Sequence, residues 1–405
     1  MINEYIKTNL PLTLRECKED RYPLFALPKP YNVPCASGMF QEMYYWDTYF
    51  TNRGLILDGD IEQAKNNTEN LMAMAERFGF VLNGNRVEFL NNSQPPFMSQ
   101  AVREIYEVTA DKEWLRGALP AIEKEYIFYT VKRGTDIGLS RYDAVMPISD
   151  SQKKRAVEIL IDRLGYTPDV PYDDLARGLY AVGESGWDIN PRMTYHAYDY
   201  AVCELNSLIF SIESNMEFFS YELGDIDSAM KWQRRKEKRL ALCREYLKGE
   251  DGIFYDYDLL KHERTSIFSV ASYYPLYFGM ATDEEARAAL EKLPELETEW
   301  GIVTSPRCDH IQGTFQWGYP NGWPPMQQIV VGGLQRYGYV EDAKRIAGKF
   351  LDLMEKVFCK TGHLWEKYDV VEGSANALAE YETPAMLGWT YGTYRVFSAL
   401  SAYLR

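Results

Sequence analysis

Histidine is scarce: there are four in 405 residues (His196, His262, His310 and His363), and none falls in an HxxxH or HExxH spacing. A zinc site built from the usual ligand pairs is therefore not expected. The six cysteines, Cys17, Cys35, Cys203, Cys243, Cys308 and Cys359, form no CxxC pair and are too scattered for a disulfide-stapled domain. The chain lacks GxGxxG, GxxxxGK[ST] and GxSxG strings, which removes the dinucleotide, nucleoside-triphosphate and serine-hydrolase readings. No metal or organic cofactor is implied. There is no run of about 18 apolar residues, and the N-terminal MINEYIKTNL has no basic start followed by an apolar stretch, so a cytoplasmic enzyme without a membrane partner is the expectation. Basic residues are also in the minority, 44 against 59 acidic, for a net charge of −15. That balance disfavours nucleic acid and anionic membranes and suits a neutral small molecule.

The chain is rich in aromatic residues, with 31 Tyr and 9 Trp among 46% hydrophobic residues. Such rings fill cores and also stack on sugar faces. Val202, Leu205, Ile209, Ile212, Met216 and Phe219 recur at steps of three and four and predict a helix over 198–223. Ala343, Ile346, Phe350, Leu353 and Val357 predict another over 341–358. Weaker helical patterns cover 60–77, 97–108, 225–247, 283–292, 327–337 and 385–403, and strand-like alternation is rare, so the fold class is all-α. Aromatic, polar loops alternate with the helices at 29–47, 81–97, 182–196, 300–325 and 361–390, as in a ring of helical hairpins with its loops gathered at one end. One catalytic domain over 1–405 is expected, with 135–180 as an irregular insertion.

Five loop segments carry candidate chemistry. Tyr44-Tyr45-Trp46-Asp47-Thr48-Tyr49-Phe50 surrounds a carboxylate with rings; it is either a sugar-binding segment or a helix start capped by Asp47. Asn83-Gly84-Asn85-Arg86 and Asn91-Asn92-Ser93-Gln94 supply amides that both donate and accept. Glu184-Ser185-Gly186-Trp187-Asp188 places a carboxyl beside an indole, an environment that raises its pKa toward that of a general acid, with Arg192 four residues on. Gln316-Trp317-Gly318-Tyr319-Pro320-Asn321-Gly322-Trp323-Pro324-Pro325 has two indoles between turn-formers. Trp365-Glu366-Lys367-Tyr368-Asp369, followed by Glu380, offers a carboxylate beside a Lys, as a base activating water requires.

Together these segments resemble the trehalase family of glycoside hydrolases, in the family's order and over roughly residues 30–395. One family string matches Ser37–Tyr49; a second matches Gln316–Pro325 except at Gly318, where the family has Asp. The resemblance implies an (α/α)6 toroid and an inverting α-glycosidase, with Asp188 as general acid and Glu366 as general base. It also implies sugar contacts from Phe40, Trp46, Asp47, Asn83, Gln94, Trp187, Trp317 and Glu380, to which Arg192 is added as a candidate. Met39 and Asn92 stand where the family has arginines, and an Arg-Pro-Arg-Pro-Glu string is missing. A poor trehalase is the resulting expectation, with Arg86 and Arg192 as possible substitutes. The Asn190-Pro191-Arg192 ending is similar to the neighbouring family of processing α-glucosidases and mannosylglycerate hydrolases. The alternatives are a mannosylglycerate-type hydrolase, an inactive sugar binder, or an epimerase using His196.

Overall fold

A computed structural model describes residues 1–402; the last positions of the expected domain and of the helix expected over 385–403 lie outside them. The helices, in chain order, are α1 (Ile2–Asn9), α2 (Tyr45–Leu57), α3 (Ile61–Phe78), α4 (Met98–Thr109), α5 (Lys112–Ile127), α6 (Asp150–Leu164) and α7 (Tyr172–Ser185). They continue as α8 (Cys203–Glu222), α9 (Ile226–Tyr246), α10 (Tyr274–Tyr277), α11 (Asp283–Lys292), α12 (Pro324–Arg336), α13 (Val340–Thr361) and α14 (Gly388–Ala402). Strands are confined to two-residue pairings between loops.

An inner ring runs α2, α4, α8, α10, α12, α14, each packed on the next, and α14 returns to α2. Behind it α3 backs α2 and α4, α9 backs α8, and α13 backs α12 and α14. This is the expected toroid, and it explains why the inner helix α2 lacks a stripe. In α2, Tyr45, Trp46, Asp47, Thr48, Tyr49 and Phe50 are consecutive and all buried, because a helix enclosed on every side has no polar face to alternate with. The outer α13 buries Ala343, Ile346, Phe350, Leu353 and Val357 along one face, the stripe legible in the sequence. The closing seam between α2 and α14 depends on two glycines. A Cβ on Gly392 would stand 1.9 Å from the Phe50 carbonyl oxygen, and one on Gly54 2.6 Å from the Tyr391 ring, so any side chain at either position holds the helices apart.

The expectation of an irregular insertion over 135–180 is corrected: the segment contains α6 and α7. Helix α6 starts in a capping box, with Ser149 receiving the Gln152 backbone N–H and the Gln152 side chain returning the bond, and stops at Gly165 in the left-handed region. Its apolar residues Ala156, Val157, Leu160 and Leu164 are buried, while Gln152, Arg155, Ile159 and Arg163 line the loop end of the ring.

Candidate active site

At that end the loops enclose a cavity of about 320 Å³. Of the residues expected at the site, Phe40, Trp46, Asp47, Asn83, Gln94, Asp188, Trp317 and Glu366 line it together. Trp187, Arg192 and Glu380 do not.

The Asp188 turn follows from the end of α7. Gly186 takes φ +71°, and a Cβ there would lie 2.9 Å from the Trp46 ring, so glycine lets the turn pack directly on an inner-ring indole. Asp188 itself has φ +29°, a strained conformation for a residue with a side chain and one met mostly at functional positions. Its side chain is 27% exposed and lines the cavity. Burial raises its pKa, against the opposing charges of Arg163 and Lys367.

Glu366 is held across the cavity wall by its backbone. Its N–H donates to the Pro384 carbonyl (3.2 Å) and its carbonyl accepts from Trp389 Nε1 (2.9 Å). A short pairing of Asn321–Gly322 with Tyr368–Asp369 ties this segment to the Trp317 loop. The carboxylate accepts from Lys367 Nζ at 2.5 Å and from the Tyr381 hydroxyl at 2.7 Å. Burial pushes the Glu366 pKa up, Lys367 and Tyr381 pull it down, and the Asp188 charge adds to the upward push. A carboxylate in that balance is more basic than one in water, while Lys367 and the Tyr381 hydroxyl favour its ionised form.

The remaining wall is aromatic with polar atoms set into it. Trp317 stacks on Trp323 at 3.7 Å between centroids and 4° between planes, with Trp46 5.5 Å away. Trp187 is fully buried and stacks on Trp317 from outside the cavity. Among the described residues no side chain donates to the Asp47 carboxylate, whose pKa is raised first by burial and then by the Glu366 charge. The buried Asn92 Oδ1 and Trp317 Nε1 likewise have no hydrogen-bond partner. Gln94 Oε1 takes the Trp46 backbone N–H at 3.1 Å. Hydroxyl groups of a sugar provide both the donors and the acceptors these atoms lack.

Two site expectations are corrected. Arg192 is not a substrate ligand: its side chain is 1% exposed and lies against Glu204 and Asp256, both at 2.7 Å. It also stacks under Trp187 at 4.7 Å, so it supports the Asp188 turn from behind. Glu380 is buried off the cavity wall, with Oε2 3.2 Å from Arg163 Nε. Arg86, the other substitute considered, is paired with Glu42 and Glu88, and Met39 is exposed and absent from the cavity lining. The sequence reading missed the contribution of α6, which brings Gln152, Arg155, Ile159 and Arg163 to the wall. Its capping box and the 155/159/163 spacing were the available signals.

A model of the trehalase family matches residues 4–401. The chain belongs to the trehalase family. The periplasmic trehalase of Escherichia coli O1:K1 is 30% identical over 421 aligned positions, which cover 96% of this chain and 72% of that protein; that of Shigella dysenteriae serotype 1 matches equally. Among solved structures, the neutral trehalase of Saccharomyces cerevisiae superposes with a TM-score of 0.79 at 27% identity, over 93% of this chain and 77% of that one. The mannosylglycerate hydrolase of Thermus thermophilus, at 17% identity and a TM-score of 0.64 over 91% and 96%, shares the fold. This member of the trehalase family is thus a trehalase-like glycoside hydrolase with a carbohydrate substrate. The cytoplasmic location expected from the sequence is corrected by the curated relatives, which are periplasmic trehalases. The family's Asp is replaced by Gly318 next to two close neighbours: a Cβ at 318 would stand 3.1 Å from Ser305 Oγ and 3.3 Å from Pro191 Cδ.

Proposed function

We propose that the protein hydrolyses a small α-linked glucoside with inversion at the anomeric carbon. The observation that supports this reading is the meeting of Asp188 and Glu366 in one cavity, one held by a single guanidinium and the other by a Lys and a Tyr. Asp188 gives its proton to the glycosidic oxygen as the C–O bond breaks. Glu366 takes a proton from the water that attacks the opposite face, a geometry in which inverting enzymes hold their carboxyl groups about 6.5–9.5 Å apart. Asp47, Asn83 and Gln94 accept and donate to the sugar hydroxyls, and Trp46, Trp317 and Phe40 cover its apolar faces. Proton NMR of the reaction gives the test: the β-anomer of the released sugar appears first, and initial release of the α-anomer rules the mechanism out.

The leaving group lies against α6. Arg155 lines the cavity and has no carboxylate within ion-pair distance among the described residues, so it is free to bind hydroxyls there. The expectation of a poor trehalase rested on lost arginines; α6 supplies cations from a different element, and trehalose is the first substrate to test, beside kojibiose and nigerose. A charged hydrogen bond is worth about 1.5–3 kcal/mol. Arg155→Ala therefore lowers kcat/KM on the preferred disaccharide by roughly 10- to 100-fold, mainly through KM, while hydrolysis of p-nitrophenyl α-glucoside changes little. Equal losses on both substrates would place Arg155 outside the leaving-group site.

A further inference from the structure

The carboxylate of Asp188 has one polar side-chain partner among the described residues: Arg163 Nη1, 3.4 Å from Oδ2. The same guanidinium approaches Glu380 through Nε at 3.2 Å. The Glu380 side chain is 1% exposed, and neither of its oxygens has a hydrogen-bond partner among the described residues; Arg163 is within ion-pair distance only. A buried carboxylate is costly unless paired, and Arg163 is the cation it faces. Arg163 belongs to α6, two turns beyond Arg155 on the face that lines the cavity, and so reaches the acid from a different element than the one that carries it.

We propose that Arg163 is the positioning residue of the general acid and that Glu380 is its counter-charge. The inference rests on the assignment of Asp188 as the acid. A guanidinium alone beside an acid favours its ionised form and makes it a poor proton donor. A second carboxylate on the same guanidinium offsets that effect: burial pushes Glu380 up to about 8, so the trio is electrically balanced with one proton shared between Asp188 and Glu380, and Asp188 carries it when the glycosidic oxygen is protonated. When the Asp188 O–H bond breaks and the proton joins the glycosidic oxygen, the C–O electron pair leaves with that oxygen. The new Asp188 carboxylate is then stabilised by Arg163. The other groups acting on the trio are Lys367, Glu366, Tyr381 and, on α6 itself, Asp162.

The test compares pH profiles of kcat/KM for wild type, Arg163→Gln, Arg163→Lys and Glu380→Gln on a disaccharide and on p-nitrophenyl α-glucoside, whose leaving group needs little protonation. Arg163→Gln removes a positive charge beside Asp188 and moves the alkaline limb up, by about one pH unit or more. Glu380→Gln removes a negative charge and moves it down, and Arg163→Lys returns the limb toward wild type. Misplacement of the acid also costs Arg163→Gln up to about 100-fold on the disaccharide and far less on the aryl glycoside. Limb shifts of the same sign in Arg163→Gln and Glu380→Gln, or no shift in variants that melt like wild type, overturn the proposal, as does an equal loss on both substrates. Asp188→Asn is run in parallel: wild-type activity there on the disaccharide overturns the acid assignment itself, whereas a leaving-group-dependent loss in Asp188→Asn without one in Arg163→Gln overturns only the role of Arg163.

Discussion

Asp188→Asn and Glu366→Gln each lower kcat on a disaccharide by about 10²- to 10⁴-fold, the range spanned by one positioned acid or base, and they differ in a way that separates the roles. An amide at 188 has no proton to give, so the loss is greatest for leaving groups of high pKa and shrinks on p-nitrophenyl α-glucoside. An amide at 366 cannot activate water whatever the leaving group, so its loss is similar on both. The pH profiles divide likewise. The base must be ionised, and burial holds Glu366 above the ordinary carboxylate range, so wild-type activity falls on the acid side through an elevated pKa; Glu366→Gln abolishes that limb. The acid must be protonated, and burial likewise raises Asp188, so activity falls again as the pH rises through its pKa; Asp188→Asn abolishes the alkaline limb. Retention of the alkaline limb in Asp188→Asn would assign it to another group, and the assignment of Asp188 would fall.

The second large effect is on stability. Arg133, 4% exposed, donates to Glu184 through Nε at 2.6 Å and Nη2 at 2.7 Å. The same carboxylate also accepts the backbone N–H groups of Ser93 at 3.1 Å and Asp143 at 3.3 Å. Glu184 thereby joins the last turn of α7 to the Ser93-Gln94 segment of the cavity wall. Glu184→Ala leaves a guanidinium and two backbone donors unpaired in the interior, a loss of about 3–5 kcal/mol. Urea unfolding followed by circular dichroism reads it as a lower midpoint. A double variant, Arg133→Met with Glu184→Leu, recovers part of the loss because no charge is then left without a partner. A loss below about 1 kcal/mol for Glu184→Ala would show that water reaches Arg133, contrary to the packing described.

The stripes of α8 and α13 and the motifs holding Asp188 and Glu366 were legible in the sequence, and its limits are specific. Helix α13 was legible because one face is buried and the other is wet; α2 was not, because burial on all sides erases the period. Helix α6 escaped because its cavity-lining positions, Gln152, Arg155 and Arg163, are polar and interrupt the apolar stripe on which the reading relied. Arg192 was misread for a different reason. Its neighbour in sequence is the Asp188 motif, but its partners Glu204 and Asp256 lie 12 and 64 residues away, and nothing in the local string announces them. Glu380 was expected as a sugar contact; its side chain instead faces the Arg163 guanidinium, which also approaches Asp188, and nothing in the local string announces that cation.

The glycine seam between α2 and α14 has a consequence for how the chain reaches its native state. Its two sides, Gly54 and Gly392, belong to the first and last helices of the inner ring, so during synthesis the ring stays an open arc until α14 has left the ribosome. Extending a loop to this length costs little in equilibrium terms, about 0.6 kcal/mol for each doubling, but contacts between distant parts of a chain form slowly. Throughout that interval the α2 flank that will meet α14, including the Phe50 carbonyl and Gly54, has no neighbour. The last joint of the toroid is thus the stage at which a nascent chain of this family member is most exposed to aggregation.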